Sequence, residues 1–213
     1  MTTPLRDVRS PDWTPHAPVV ALLLHGYGSN EHDLTGLAPA LGLAMPWASL
    51  RAPLDLGPGA AWFAVTPPGN PDADVVAGAT DTIWAWVDAH VDPDTRLVPI
   101  GFSQGGLMAS QLLRTRPERV VAPVILSGFV LGAPQPADAA LAQARPPVFW
   151  GRGLQDRVIA ASAIARTDVW LPAHTDPTRR VYPGLAHNIH PAEVEDVRRF
   201  LGAHAPAGAG TGG

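Results

Sequence analysis

The chain has 213 residues, enough to bury one substantial core, with 46% hydrophobic residues and a formal net charge of −4; this argues against disorder and against an electrostatic footprint for nucleic acid. Cysteine is absent, which removes disulfides, thiolate nucleophiles and Cys-ligated zinc. All 15 basic residues are arginine, which removes lysine Schiff bases and the lysine-dependent phosphate loop.

Residues 1–18 carry no apolar signal region, and no later stretch approaches the ~18 apolar residues of a membrane span, so a soluble cytoplasmic protein is expected. Residues 19–24, VVALLL, form an uninterrupted apolar run that stops at His25-Gly26, the pattern of a strand buried on both faces of a parallel sheet. Residues 33–43 read as a helix. Residues 52–73, APLDLGPGAAWFAVTPPGNPDA, lack periodicity and are too long for an ordinary connection, which marks a functional loop. Beyond it, helices are predicted over 74–89, 104–115, 160–170 and 192–203, with strands at 97–100, 120–126, 147–150 and 179–183. Pro99 and Pro123 fit poorly inside two of those strands, because proline cannot donate to a ladder. Strand alternating with helix predicts an α/β fold: a mostly parallel, doubly wound sheet with helices on both faces. Residues 1–204 are taken as one domain and 205–213 as a disordered tail, too small in its side chains to pack.

GFSQGG, residues 101–106, follows the 97–100 strand and opens the next helix, so Gly101, Ser103 and Gly105 spell GxSxG at a strand-to-helix turn. Such an elbow holds its serine in a strained conformation, and glycines two positions either side let neighbouring backbone approach. Ser103 is the candidate nucleophile; a plain Gly-Ser turn with serine as helix cap is the alternative. The backbone N–H of Gln104, at the helix N-terminus, would favour a developing oxyanion. A second donor is expected from LHGYGSNEHDL after the first long strand, where the N–H of Tyr27 would point inward. His25 is read as a packed residue that fixes this turn.

On this architecture the acid and then the histidine follow the serine, each on a loop after a later strand. Asp156, in the turn of GRGLQDRVIA, is the candidate acid, with helix capping as its other reading; Asp138 and Asp168 lie in helix-like or solvent-like contexts. GLAHNIHP, residues 184–191, offers two histidines. Pro191 suits a first helical position, making His190 the cap and leaving His187 free in the loop. The same proline disrupts a shared helical face, and there is no HExxH pattern, so no metal is expected.

Together, LHGYGSNEHDL, RAPL, GFSQGG, LQDRVI and GLAHNIHPAEVEDVRRFL resemble the phospholipase/carboxylesterase family, small α/β-hydrolases that include the acyl-protein thioesterases. The resemblance implies an α/β-hydrolase fold without a large cap domain. It also implies Ser103 as nucleophile, Asp156 as acid, His187 as base, and the N–H groups of Tyr27 and Gln104 as oxyanion hole. Two departures stand out: the family often has His-Gly before its acid and proline after it, where this chain has Arg152-Gly153 and Ala160.

The expected activity is hydrolysis of short to medium acyl esters or thioesters through an acyl-enzyme, without cofactor. An amidase or peptidase on the same triad, or a noncatalytic module on a hydrolase scaffold, are the alternatives. Residues 120–147 are too few to insert a cap domain, so the site is expected to be an open groove. Trp62, Phe63, Phe129 and Leu131 are candidates for an acyl-binding wall, with core packing as their equal alternative. Expected partners are small-molecule esters or thioesters, with neither nucleic acid nor a membrane span, and the family resemblance implies a monomer or homodimer.

Overall fold

A computed structural model describes residues 5–64 and 69–205, and in it a short strand, β1 (Asp7–Arg9), precedes β2 (Val19–Leu24). Strand geometry sends alternate side chains to opposite faces, and in β2 both faces are covered. Val20, Leu22 and Leu24 enter one apolar cluster, while Val19, Ala21 and Leu23 enter another. The chain continues through α1 (Leu37–Leu41), β3 (Trp47–Leu50), a hairpin of β4 (Leu54–Leu56) and β5 (Gly59–Ala61), and α2 (Ala73–His90). After these come β6 (Arg96–Phe102), α3 (Gln104–Thr115), β7 (Val124–Leu126), α4 (Asp138–Ala144) and β8 (Pro147–Gly153). The last elements are α5 (Ala161–His174), β9 (Asp176–Tyr182) and α6 (Pro191–His204).

Seven strands form one sheet in the order β1-β3-β2-β6-β7-β8-β9, parallel throughout except for the β1 edge. Residues of α1 and α6 pack on one face and residues of α2, α3, α4 and α5 on the other, giving the doubly wound α/β-hydrolase arrangement. From β2 the chain first steps to β3 on one side, then crosses back to β6 on the other. This reversal opens a crevice at the carboxyl ends of β2 and β6, where ligands bind in sheets of this kind. Between β7 and β8 the only helix is the seven-residue α4, and no cap domain is inserted there.

Both prolines that fit poorly are accommodated by gaps in the ladder. Leu97 bridges Val120 and the β6/β7 pairing resumes only at Ile100 and Val124, so Pro99, whose nitrogen faces β7, sits where no bond is due. Pro123 lies just before β7, which therefore spans Val124–Leu126 rather than 120–126. The helix expected over 33–43 is regular only at Leu37–Leu41, and the strand expected over 179–183 runs instead over Asp176–Tyr182. The expected tail lies outside the described residues apart from Ala205. Among the described residues no helix is long and apolar enough to cross a membrane.

Candidate active site

Ser103 lies in the turn between the central strand β6 and α3 with φ 56° and ψ −115°, a left-handed conformation that a residue with a Cβ adopts only under strain. The glycines around it make the turn possible. A Cβ on Gly101 would fall 2.0 Å from the Gly105 carbonyl oxygen, and one on Gly105 would fall 1.9 Å from that of Leu24. Gly106 in turn lies against Gly128, bringing the loop after β7 up to the same helix. Ser103 itself remains 8% exposed, at the sheet's carboxyl edge.

Asp156 and His187 stand on the loops after β8 and β9, and the structure brings both to Ser103. His187 Nδ1 lies 2.7 Å from Asp156 Oδ2, and His187 Nε2 lies 2.9 Å from Ser103 Oγ. A carboxylate only accepts, so Nδ1 carries the proton and Nε2 is the acceptor for the serine hydroxyl. The Asp156 side chain is 1% exposed and its other oxygen accepts from the N–H groups of Val158 and Ile159, so it is both buried and satisfied. The two loops are also joined by backbone: the Gln155 N–H donates to the Leu185 carbonyl at 2.9 Å. Phe102 packs its ring 4.9 Å from the His187 ring. His190 caps α6, its Nδ1 accepting from the Ala192 N–H at 3.1 Å, so the two histidines of GLAHNIHP have separate environments.

Gly26 faces Ser103 across the crevice: a Cβ there would lie 3.4 Å from the Ser103 Cβ. Among the described residues, the N–H groups of Tyr27 and Gln104 have no acceptor, which leaves both available to a ligand oxygen. His25 is fully buried and structural: Nδ1 donates to the Gly26 carbonyl at 2.7 Å and Nε2 accepts from the Ala52 N–H at 3.1 Å. Burial holds its pKa below the ordinary value, which matches the neutral ring these two bonds require. The hairpin of β4 and β5 docks on this loop, with Ser29 bridged to Ala60 and Gly59 pressed on Gly28.

Two further side chains, whose structural roles the sequence left unread, hold this hairpin. Arg51 donates to Glu31 at 3.1 Å and to the carbonyls of Gly57 and Gly59 at 3.1 and 3.0 Å. Gln104 accepts from the Trp62 N–H at 3.0 Å and donates to the Phe63 carbonyl at 2.8 Å, so its side chain anchors the segment beyond the hairpin. Trp62, Phe63, Phe129 and Leu131 all lie in the core, with exposures from 1% to 7%. Trp62 also donates its indole N–H to the His25 carbonyl. Of these four, Leu131 borders a cleft of about 670 Å³ with Asn70, Pro71 and Asp72.

The sequence also left unread a buried charge behind the 127–137 loop. Arg114, 1% exposed, forks onto Asp138 with two bonds of 2.8 Å and donates to the carbonyls of Leu131 and Ala133. Its guanidinium lies 4.6 Å from the Trp170 ring centre. Burial alone would raise the Asp138 carboxyl, but Arg114 and the Gln135 N–H outweigh it and hold it below the ordinary value. Asp138 is thus a structural ion-pair partner rather than a solvated helix residue. No local pattern in GGLMASQLLRT distinguishes Arg114 from an exposed helix-end arginine.

A strained serine between a sheet and a buried helix, with a carboxylate on the loop after β8 and an imidazole on the loop after β9, defines an α/β-hydrolase. The sequence pattern of the phospholipase/carboxylesterase family matches residues 6–205, and the chain belongs to that family of carboxylesterase-type hydrolases. It is 27% identical to acyl-protein thioesterase 1 of Cryptococcus neoformans, over 94% of this chain and 98% of that one. Among solved structures, a Bacillus cereus carboxylesterase superposes with a TM-score of 0.78 at 23% identity, covering 93% and 94% of the two chains. A Mesorhizobium loti carboxylesterase gives 0.72 at 19% identity, covering 89% and 90%.

Proposed function

We propose that this protein hydrolyses short to medium acyl esters or thioesters through an acyl-enzyme on Ser103. The observation that carries the reading is the continuous run of short contacts from Asp156 through His187 to Ser103, 2.7 and 2.9 Å. His187 takes the serine proton as Oγ attacks the carbonyl, and Asp156 fixes the imidazole tautomer and stabilises the imidazolium. The N–H groups of Tyr27 and Gln104 receive the oxyanion, aided by the N-terminal end of α3. His187 returns the serine proton to the departing alcohol or thiol as its bond to the acyl carbon breaks; it then takes a proton from water, which attacks the acyl-enzyme and releases the acid and the Ser103 hydroxyl. The thioester half of the reading draws on the likeness to acyl-protein thioesterase 1. For the acyl chain, Leu131 supplies a wall on the cleft it borders, while Trp62, Phe63 and Phe129 lie in the core.

The test is turnover of matched ester, thioester and amide substrates by the wild-type protein, Ser103→Ala and His187→Ala. Each substitution is expected to lower kcat by a factor on the order of 10⁴ or more, to a similar residual level. Full activity in either variant would overturn the assignment. Amide turnover exceeding ester turnover would move the substrate class to an amidase.

A further inference from the structure

We propose that Glu193 is a positioning residue: seated between β8 and α6, it locks the loop that carries His187 against the loop that carries Asp156. The proposal rests on the reading of His187 as the base. Glu193 is 0% exposed, three residues past the His190 cap and in the first turn of α6. Its Oε1 rests on the backbone of Gly151 in β8, where a Cβ would come within 2.1 Å of it, so both residues are fixed by one contact. Two residues on, Gly153 lies equally close under the carbonyls of Leu185 and Ala186, in the His187 loop. The His187 segment is therefore pinned on β8 at both ends, by Leu185 and Ala186 on Gly153 and by Glu193 on Gly151.

The surroundings favour the uncharged form of the Glu193 carboxyl. Neither oxygen has a full hydrogen-bond partner among the described residues, and an isolated buried carboxylate is costly enough that it takes up a proton instead. Side chains alternate along β8, so Phe149 and Gly151 face α6 while Arg152 points to the opposite face and lies 5.7 Å from the Trp150 ring centre. On β9, Arg180 pairs in register with Gly151, but its guanidinium is engaged by Asp196, which also accepts from Tyr182. Burial, with added repulsion from Asp196, pushes the Glu193 carboxyl up to about 7, against a smaller opposing pull from the His190 N–H.

Ionisation above neutral pH would draw this side chain toward water and release one end of the His187 loop. The experiment is the pH profile of ester hydrolysis from about pH 5 to 9 for the wild-type protein, Glu193→Gln, Glu193→Ala and Ser103→Ala. The wild-type kcat is expected to fall on an alkaline limb centred near 7, and that limb is expected to be missing in Glu193→Gln, which keeps the shape without the charge. Glu193→Ala is expected to lose about tenfold in kcat at every pH, with KM little changed, because misplacing a catalytic group slows chemistry more than binding. Superimposable wild-type and Glu193→Gln profiles, or a folded Glu193→Ala with wild-type kcat, would overturn the proposal. If Glu193→Ala does not fold, the Glu193→Gln comparison decides. Activity that survives in Ser103→Ala, or an inert wild-type protein, would instead remove the functional reading and this inference with it.

Discussion

Ser103 concentrates the tension between stability and chemistry in one residue. Its left-handed conformation at φ 56° costs roughly 1–3 kcal/mol for any residue with a Cβ, while glycine escapes most of that cost. Ser103→Ala removes the hydroxyl and keeps the strain, whereas Ser103→Gly removes both. Ser103→Gly is therefore expected to be the more stable of the two by about 1 kcal/mol, despite the backbone entropy that glycine adds to the unfolded chain. Urea unfolding of the two inactive variants reads the difference directly. An alanine variant as stable as the glycine one would show that the backbone at this turn is not strained.

Among the elements, legibility followed burial. VVALLL declared β2 because both of its faces are covered, and GFSQGG declared the turn into α3 because a Cβ at Gly101 or Gly105 would collide with backbone there. The edge strand β9 gave no such signal: its sequence is DPTRRVY, polar and largely exposed, so only its apolar end was read. Strands β1, β4 and β5 are three residues each, and α4 is seven residues with only Leu141 buried, too short for a period to register. The meeting of Ser103, Asp156 and His187 was legible for a different reason, the order in which serine, acid and histidine follow strand ends in a fold of this kind. The supports around them were not: Arg114 and Asp138 are 24 positions apart and meet only through the fold. Arg114→Met would strand the Asp138 carboxylate and leave the Leu131 carbonyl without its donor. It is expected to cost about 3 kcal/mol in denaturant unfolding, where replacing both partners with apolar residues costs less. A loss under about 1 kcal/mol would mean that the loop after β7 is held by packing instead.

For the molecule as a whole, buried titratable groups pull stability in opposite directions with pH. Glu193 is raised from 4.5 to about 7, so the folded protein keeps a proton that the unfolded chain releases. Its contribution is fully present below pH 4.5 and is lost as pH rises through about 7, a swing of up to about 3 kcal/mol. His25 acts with the opposite sign over an overlapping range. Its folded pKa is depressed below 6.5, so acid protonates the unfolded chain first and stability is lost as pH falls. Asp138 and Glu31, both held below their ordinary values, add a further loss in stronger acid. The stability curve of the wild-type protein therefore mixes these terms and assigns none of them. Comparison with Glu193→Gln separates one, because His25, Asp138 and Glu31 are common to both proteins. The melting temperature of Glu193→Gln minus that of the wild type is expected to climb steadily from pH 4.5 to about 7 and then level off. Each kcal/mol corresponds to roughly 2–4 °C in a domain of this size, so the climb is several degrees and readable by calorimetry. A difference that stays flat across that range would mean that Glu193 ionises in the folded protein as readily as in the unfolded chain.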